Sequence, residues 1–207
     1  MVKTKEGSKE DKFIEETVKG RIFKAKLSPL EDEIRKYILR EFARNGRPPF
    51  PEEIMKGLRL SSVDAVNQTI EKPEKADILS RRGDKIASAY PFSTAKTRHK
   101  VIFEGGHVVY ALCATDALGI HFMLEKDITI LSKCPGCGKE IRIVEFVGNR
   151  ERGACIAETL CPFINFFCSE EDLKEWTENN SEYKNGEIYL LSDALEHGRI
   201  IFGDFLK

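Results

Sequence analysis

Residues 98–124 read RHKVIFEGGHVVYALCATDALGIHFML. Val101 and Phe103 alternate with other residues before Gly105-Gly106, and Val109 and Ala111 do so after it. Alternation is the period of a strand, and a Gly-Gly pair between two such runs makes a two-residue hairpin turn. The spacing predicts strands over 98–104 and 107–112. Cys113 then stands at a switch, because residues 114–118 can turn into a helix. A hairpin that feeds a helix points to an α+β fold. The apolar run 108–124 is barely long enough to span a membrane, and Asp116 and His121 interrupt it, so a buried strand and helix is the expected reading.

Toward the N-terminus the period becomes helical. Ser28 can N-cap, Pro29 suits the first helical position, and Glu31 completes a capping-box spacing. Leu30, Ile34, Tyr37, Ile38 and Phe42 repeat at helical spacing until Asn45-Gly46 ends the run. Pro51 opens a short second helix, and Ser61-Ser62 opens a third with Val63, Val66 and Ile70 inside. Ile78-Leu79, the turn Arg82-Gly83-Asp84 and residues 86–90 form a small hairpin. Three helices and a two-stranded wing make the winged helix-turn-helix pattern, expected over 27–90. Residues 1–26 are a charged segment, either helical through Ile14, Val18 and Ile22 or frayed.

The pattern has the shape of a DNA reader without its charge. Residues 28–90 hold 12 Lys/Arg against 11 Asp/Glu, and the third helix sets Asp64 and Glu71 against Lys72. DNA affinity comes chiefly from neutralising phosphates. Asn67, Gln68, Arg81 and Arg82 could touch DNA, but packing without DNA binding is the expected role.

Toward the C-terminus, residues 127–133 and 139–147 alternate as a second hairpin with CPGCG (134–138) at its tip. Residues 161–168 read as a strand, Ser169 starts a helix through Trp176, 187–191 read as a last strand, and Ser192 caps a last helix. Residues 91–207 are therefore expected to form a mixed, largely antiparallel sheet domain with flanking helices.

The 207 residues carry 33 Lys/Arg and 34 Asp/Glu, a net charge of -1. That balance excludes a strongly basic nucleic-acid binder and an acidic disordered tail as descriptions of the whole. Residues 1–12 are polar with no apolar signal-peptide region, so a cytoplasmic protein with no membrane contact is expected. Cysteines at 113, 134, 137, 155, 161 and 168 are then thiols, suited to soft metals, redox chemistry or core filling.

Two thiol groupings could carry chemistry. Cys113 at a helix N-terminus would have its thiolate stabilised by free N–H groups, and Asp116 would share its helical face. Asp116 in so apolar a segment could hold a proton at neutral pH. The plainer alternative is a buried thiol beside a capping aspartate. Cys134 and Cys137 form a zinc-knuckle half-site, which Cys155 and Cys161 would complete only with an imperfect spacing. A redox pair is the weaker alternative, because the following residues read as a strand. His99, His107, His121 and His197 show no metal-ligand spacing, although His121 could approach Cys113 from the same helical segment.

The segments AYPFS (89–93), VYALCATDAL (109–118) and Cys161 leading into Asn165-Phe166-Phe167 resemble the organomercurial (alkylmercury) lyases. The resemblance runs from about Leu30 to Trp176, in the same order of winged helix and strand-rich catalytic domain. It implies protonolysis of the carbon–mercury bond, with Cys113 capturing R–Hg⁺, Cys161 as the second thiol and Asp116 moving the proton. Mercury is then substrate and product on Cys113 and Cys161. It also implies that no organic cofactor is required, that free low-molecular-weight thiols remove Hg(II), and that a mercuric reductase acts downstream. Pro162 follows Cys161 where the family commonly has further Cys/His character. The CPGCG tip is a larger departure, read as a zinc site or a relay for Hg(II). Zinc on Cys134, Cys137, Cys155 and Cys161 would consume a catalytic thiol, so the zinc and lyase readings conflict. The alternative function is a zinc- or heavy-metal-responsive winged-helix regulator, or a metal-binding protein without catalysis.

Overall fold

A computed structural model describes residues 17–145, 154–157, 164–180 and 187–207 of the chain. Among the described residues four helices come first: α1 (Val18–Ala25), α2 (Pro29–Asn45), α3 (Pro51–Gly57) and α4 (Val63–Lys75). Ser28 and Glu31 close the expected capping box on α2, and Gly46 ends it in the left-handed conformation. Of the two expectations for the first segment, a docked helix holds from Val18 onward. Val18 is buried, and Lys19 Nζ donates to Ile200 O (2.9 Å) and pairs with Asp204. Ile14 lies outside the described residues.

The strands β1 (Leu79–Arg82), β2 (Lys85–Ala89), β3 (Phe92–Ser93), β4 (Lys100–Phe103) and β5 (Val108–Ala111) follow, then helix α5 (Ala114–Leu124). Next come β6 (Ile128–Lys133), β7 (Glu140–Glu145), β8 (Ala154–Ala157), β9 (Asn165–Phe166), α6 (Glu170–Asn179), β10 (Glu187–Leu190) and α7 (Leu191–Phe202). Both hairpins read from alternation are present, and Gly105 and Gly106 take the positive φ that the first turn requires. One seven-stranded antiparallel sheet runs in the order β1-β2-β3-β5-β4-β6-β7, and β10-β8-β9 form a second, three-stranded sheet. The hairpin expected as a wing is thus the edge of the large sheet. Ala89 pairs with Phe92, and Phe92 in turn with Ala111.

Strand β5 lies at the centre of that sheet, and its end feeds α5. Ala114 to His121 and Met123 are all buried, so this helix is apolar around most of its circumference, as a helix between two layers must be. One layer is the sheet and the other is α7. The two helices approach so closely that a Cβ at Gly119 would stand 2.0 Å from the Phe202 ring. Helix α7 starts at Leu191, straight out of β10, with Leu190 in the cap position. Ser192 therefore falls inside the first turn, and the cap expected of it is not made. Ile34, Ile38 and Phe42, the sheet residues Phe92, Val101 and Val109, Leu118 and Ile120 of α5, and Phe202 belong to one apolar cluster. Among the described residues no helix is long and apolar enough to cross a membrane.

Candidate active site

Cys113 occupies the N-cap of α5, in extended backbone conformation, at the point where the central strand ends. Its sulfur accepts the backbone N–H of Asp116 at 3.3 Å. The Sγ–H donates to Asp116 Oδ2 at 3.1 Å. Both residues are buried, at 1% and 4% exposure, so the sulfur and the carboxylate face each other with little water between them. A serine or aspartate usually caps a helix through oxygen. Here a thiol does so, and the capping bond brings the acid within proton-transfer distance of the sulfur. The plainer reading made the aspartate the cap; the thiol is the cap instead, and Asp116, the third helical residue, supplies both the N–H that the sulfur accepts and the carboxylate to which it donates.

The helix start is tied to the residue that leads into β9 of the second sheet. Ala114 N–H donates to Ile164 O at 3.0 Å, immediately ahead of β9. Phe166 in that strand is buried and meets the His99 ring edge-on at 5.7 Å. His99 is 2% exposed, within hydrogen-bond distance of Ser132 Oγ at 3.0 Å, and hydrogen-bonded to the Asn165 side chain. Burial, helped by the Arg98 charge, pushes its pKa down to about 3, so the ring is neutral at physiological pH. Cys161 lies outside the described residues. His121 does not approach Cys113. It sits in the last turn of α5, about 12 Å along the axis, with Nδ1 2.7 Å from Lys126 O.

A second constellation forms at the tip of the β6–β7 hairpin. One ligand atom from each of Cys134, Cys137, Cys168 and Asp172 lies within 4.8 Å of the others. Cys134 is buried, whereas Cys137 and Cys168 are exposed. Burial raises the Cys134 thiol, but the N–H groups of Cys137, Cys168 and Gly136 outweigh it and the net direction is down. Desolvation and the neighbouring Cys137 and Cys134 sulfurs push Cys168 up to about 12. Sequence reasoning left Cys168 without a role and did not single out Asp172 as a ligand. The missed signal is their place at the start of α6, where Cys168 directly precedes the N-cap Ser169 and Asp172 is the third helical residue.

A family profile described as MerB, alkylmercury lyase, matches residues 92–203. The chain belongs to the alkylmercury lyase family. By family it is an enzyme acting on the carbon–mercury bond. The alkylmercury lyase of Staphylococcus epidermidis (strain ATCC 12228 / FDA PCI 1200) is 23% identical over 166 residues, covering 73% of this chain and 74% of that protein. The mercury-bound form of MerB2 has a similar fold, with a TM-score of 0.74 and 22% identity over 97% of this chain and 100% of that one. The alkylmercury lyase match reaches further toward the C-terminus than the resemblance read from motifs and starts at Phe92. It contains all six cysteines, the α5 start, and the α7 helix that packs on it.

Proposed function

We propose that the chain is an organomercurial lyase in which Cys113, Asp116 and Cys161 perform the protonolysis. The observation that carries this is the buried Cys113 sulfur 3.1 Å from Asp116 Oδ2, with a backbone N–H on the same sulfur. A proton between sulfur and carboxylate has two homes. When Cys113 sulfur bonds the mercury of R–Hg⁺, its proton passes to Asp116. Cys161 adds as a second thiolate, releasing its proton to solvent, and raises electron density at mercury and on the attached carbon. The proton on Asp116 then moves to that carbon as the carbon–mercury bond breaks. The balance is R–Hg⁺ plus two thiols giving R–H, a bis-thiolate Hg(II) and one H⁺. Thiolates hold mercury against water and carboxylate because both partners are soft.

Each step uses side chains of this chain, and no organic cofactor enters. Turnover calls for free low-molecular-weight thiols to take Hg(II) from the two cysteines, and a mercuric reductase is the natural downstream consumer. A reducing cytoplasm suits an enzyme whose thiols must stay reduced.

We read residues 27–90 as a winged-helix module whose work is packing rather than DNA recognition. Arg81 donates to Glu74 (2.7 and 3.0 Å) and to Asn67 Oδ1 (3.3 Å), so a wing cation and a base-reading amide are engaged with each other. Lys72 donates to Lys26 O at 2.8 Å and pairs with Glu31 at 3.3 Å. These ties disfavour the metal-responsive regulator.

The test is anaerobic benzene release from phenylmercury with excess thiol. Wild type releases benzene, and Cys113→Ser and Cys161→Ser do not. Full activity in either serine variant would remove that residue from the mechanism.

A further inference from the structure

We propose that Cys134, Cys137, Cys168 and Asp172 bind one structural zinc ion, separate from the mercury chemistry. This completes the Cys134/Cys137 half-site with two residues that the sequence spacing does not point to, and it leaves Cys155 and Cys161 unused. The conflict between a zinc site and a catalytic Cys161 disappears.

Three observations carry it. First, the four ligand atoms converge within 4.8 Å of one another, as one ion's donor set must. Three sulfurs and one carboxylate oxygen are a four-coordinate zinc set. Second, the spacing discriminates among fates of the thiols. Cys137 Sγ and Cys168 Sγ are 3.8 Å apart. With zinc–sulfur bonds of about 2.3 Å, the edge of a tetrahedron is about 3.8 Å. A disulfide needs about 2.05 Å. A linear bis-thiolate on a soft ion needs roughly twice a metal–sulfur bond, about 4.6 Å, which this pair does not span. Third, the backbone is built for the approach. Cys134 N–H donates to Lys139 O (2.9 Å), Gly138 N–H to Cys134 O (2.9 Å), and Gly138 has a φ of 74°, which closes the knuckle on itself. A Cβ at Gly136 would stand 2.5 Å from Asp172 O, so only glycine lets the knuckle meet the first turn of α6.

The site also has something to hold. Around it Cys134, Phe167 and Leu173 form their own small buried cluster, with Ile141 and Trp176 against it. So few apolar side chains supply little free energy of folding, and a metal is how small cores are commonly supplemented. Zinc there would staple the β6–β7 hairpin to α6. It would also anchor Cys168, two residues beyond β9, whose leading Ile164 accepts the Ala114 N–H at the start of α5. Binding replaces thiol protons by Zn²⁺ and releases them to solvent, with no oxidation.

The experiment measures metal content of the full chain by mass spectrometry, after growth with zinc and extensive dialysis. About one zinc per chain is expected in wild type and in Cys113→Ser. Cys137→Ser and Cys168→Ser, both at exposed positions and so unlike Cys134 variants in their effect on the core, should lose it. Asp172→Asn should weaken retention tenfold or more in competition with a chelator. Cobalt added to metal-free protein should give tetrahedral visible bands and thiolate charge-transfer absorption, diminished in Cys168→Ser. A metal-free wild type that takes up neither ion would overturn the site. So would zinc retained at full stoichiometry in Cys168→Ser, or a Cys137–Cys168 disulfide in its place. Zinc content is read without mercury, so failure of the lyase assay leaves this result intact, and the reverse holds.

Discussion

Asp116 uses two groups on one sulfur: its N–H donates to Cys113 Sγ, and its carboxylate accepts the Sγ–H, the contact on which the proposed proton transfer rests. The two contributions separate in Asp116→Asn, which keeps the backbone contact and the volume but cannot carry a proton. Benzene release from phenylmercury should fall by about 10²–10⁴, the usual worth of a positioned acid. Mercury bound per chain, measured after gel filtration, should be unchanged. A fall of less than tenfold would take Asp116 out of the proton path. His99 makes a different residue-scale prediction. Its folded pKa of about 3 lies below its ordinary value of 6.5, so the unfolded chain binds the proton more readily. Stability is therefore fully present above about pH 6.5 and lost as pH falls toward 3. At pH 4.5 this group alone removes about 2–3 kcal/mol. His99→Gln should be less stable at pH 7 yet lose less between pH 6.5 and 4.5, measured by urea unfolding at each pH. Parallel curves for the two proteins would show that His99 is not the acid-sensitive group.

At the scale of elements, the crossing of α5 and α7 sets helix propensity against packing. Gly119→Ala gains about 1 kcal/mol of helix propensity. The added methyl would sit 2.0 Å from the Phe202 ring, however, and overpacking costs about 1–3 kcal/mol. Packing should win, giving a net loss that Phe202→Leu in the same chain partly restores; thermal unfolding of the three variants checks it. A stabilised Gly119→Ala would mean that α7 yields easily. The elements themselves were legible because their rules are local. Ser28 and Glu31 announce α2, Gly105-Gly106 announces a hairpin, and the stop at Cys113 announces α5. Pairings distant in sequence were not. Nothing between Ala89 and Phe92 says that the supposed wing continues into Ala111 of the central strand. Cys113 and Asp116 were legible as a pair because they stand three positions apart at one helix turn. Cys134 and Cys168 were not, since thirty-four positions separate them and only the packing of a hairpin tip on a helix start joins them.

For the whole molecule, a single apolar cluster joins Ile34 and Phe42 of α2, Phe92 and Val109 of the sheet, and Phe202 of α7. Phe42 stacks directly on Phe92 with ring centroids 4.9 Å apart, across the boundary that the sequence pattern suggests at residues 90–91. Separately stable domains each have a core of their own, joined by few contacts. A shared core and a shared sheet bind the N-terminal helices and the strand-rich region into a single cooperative unit, in which loss of α2 exposes the faces of β3 and β5. Two probes report on opposite ends. Trp176, the single tryptophan, lies on α6 against Phe167, whereas α1 to α4 supply much of the helical circular dichroism. In urea at constant saturating zinc, tryptophan fluorescence and far-UV dichroism should give coincident midpoints and slopes, the signature of two-state unfolding. Dichroism that falls first, with the fluorescence transition unmoved, would mean that residues 27–90 fold on their own terms after all. The same helices would then be free to act apart from the sheet, and salt-dependent DNA retention by that segment would become the decisive measurement.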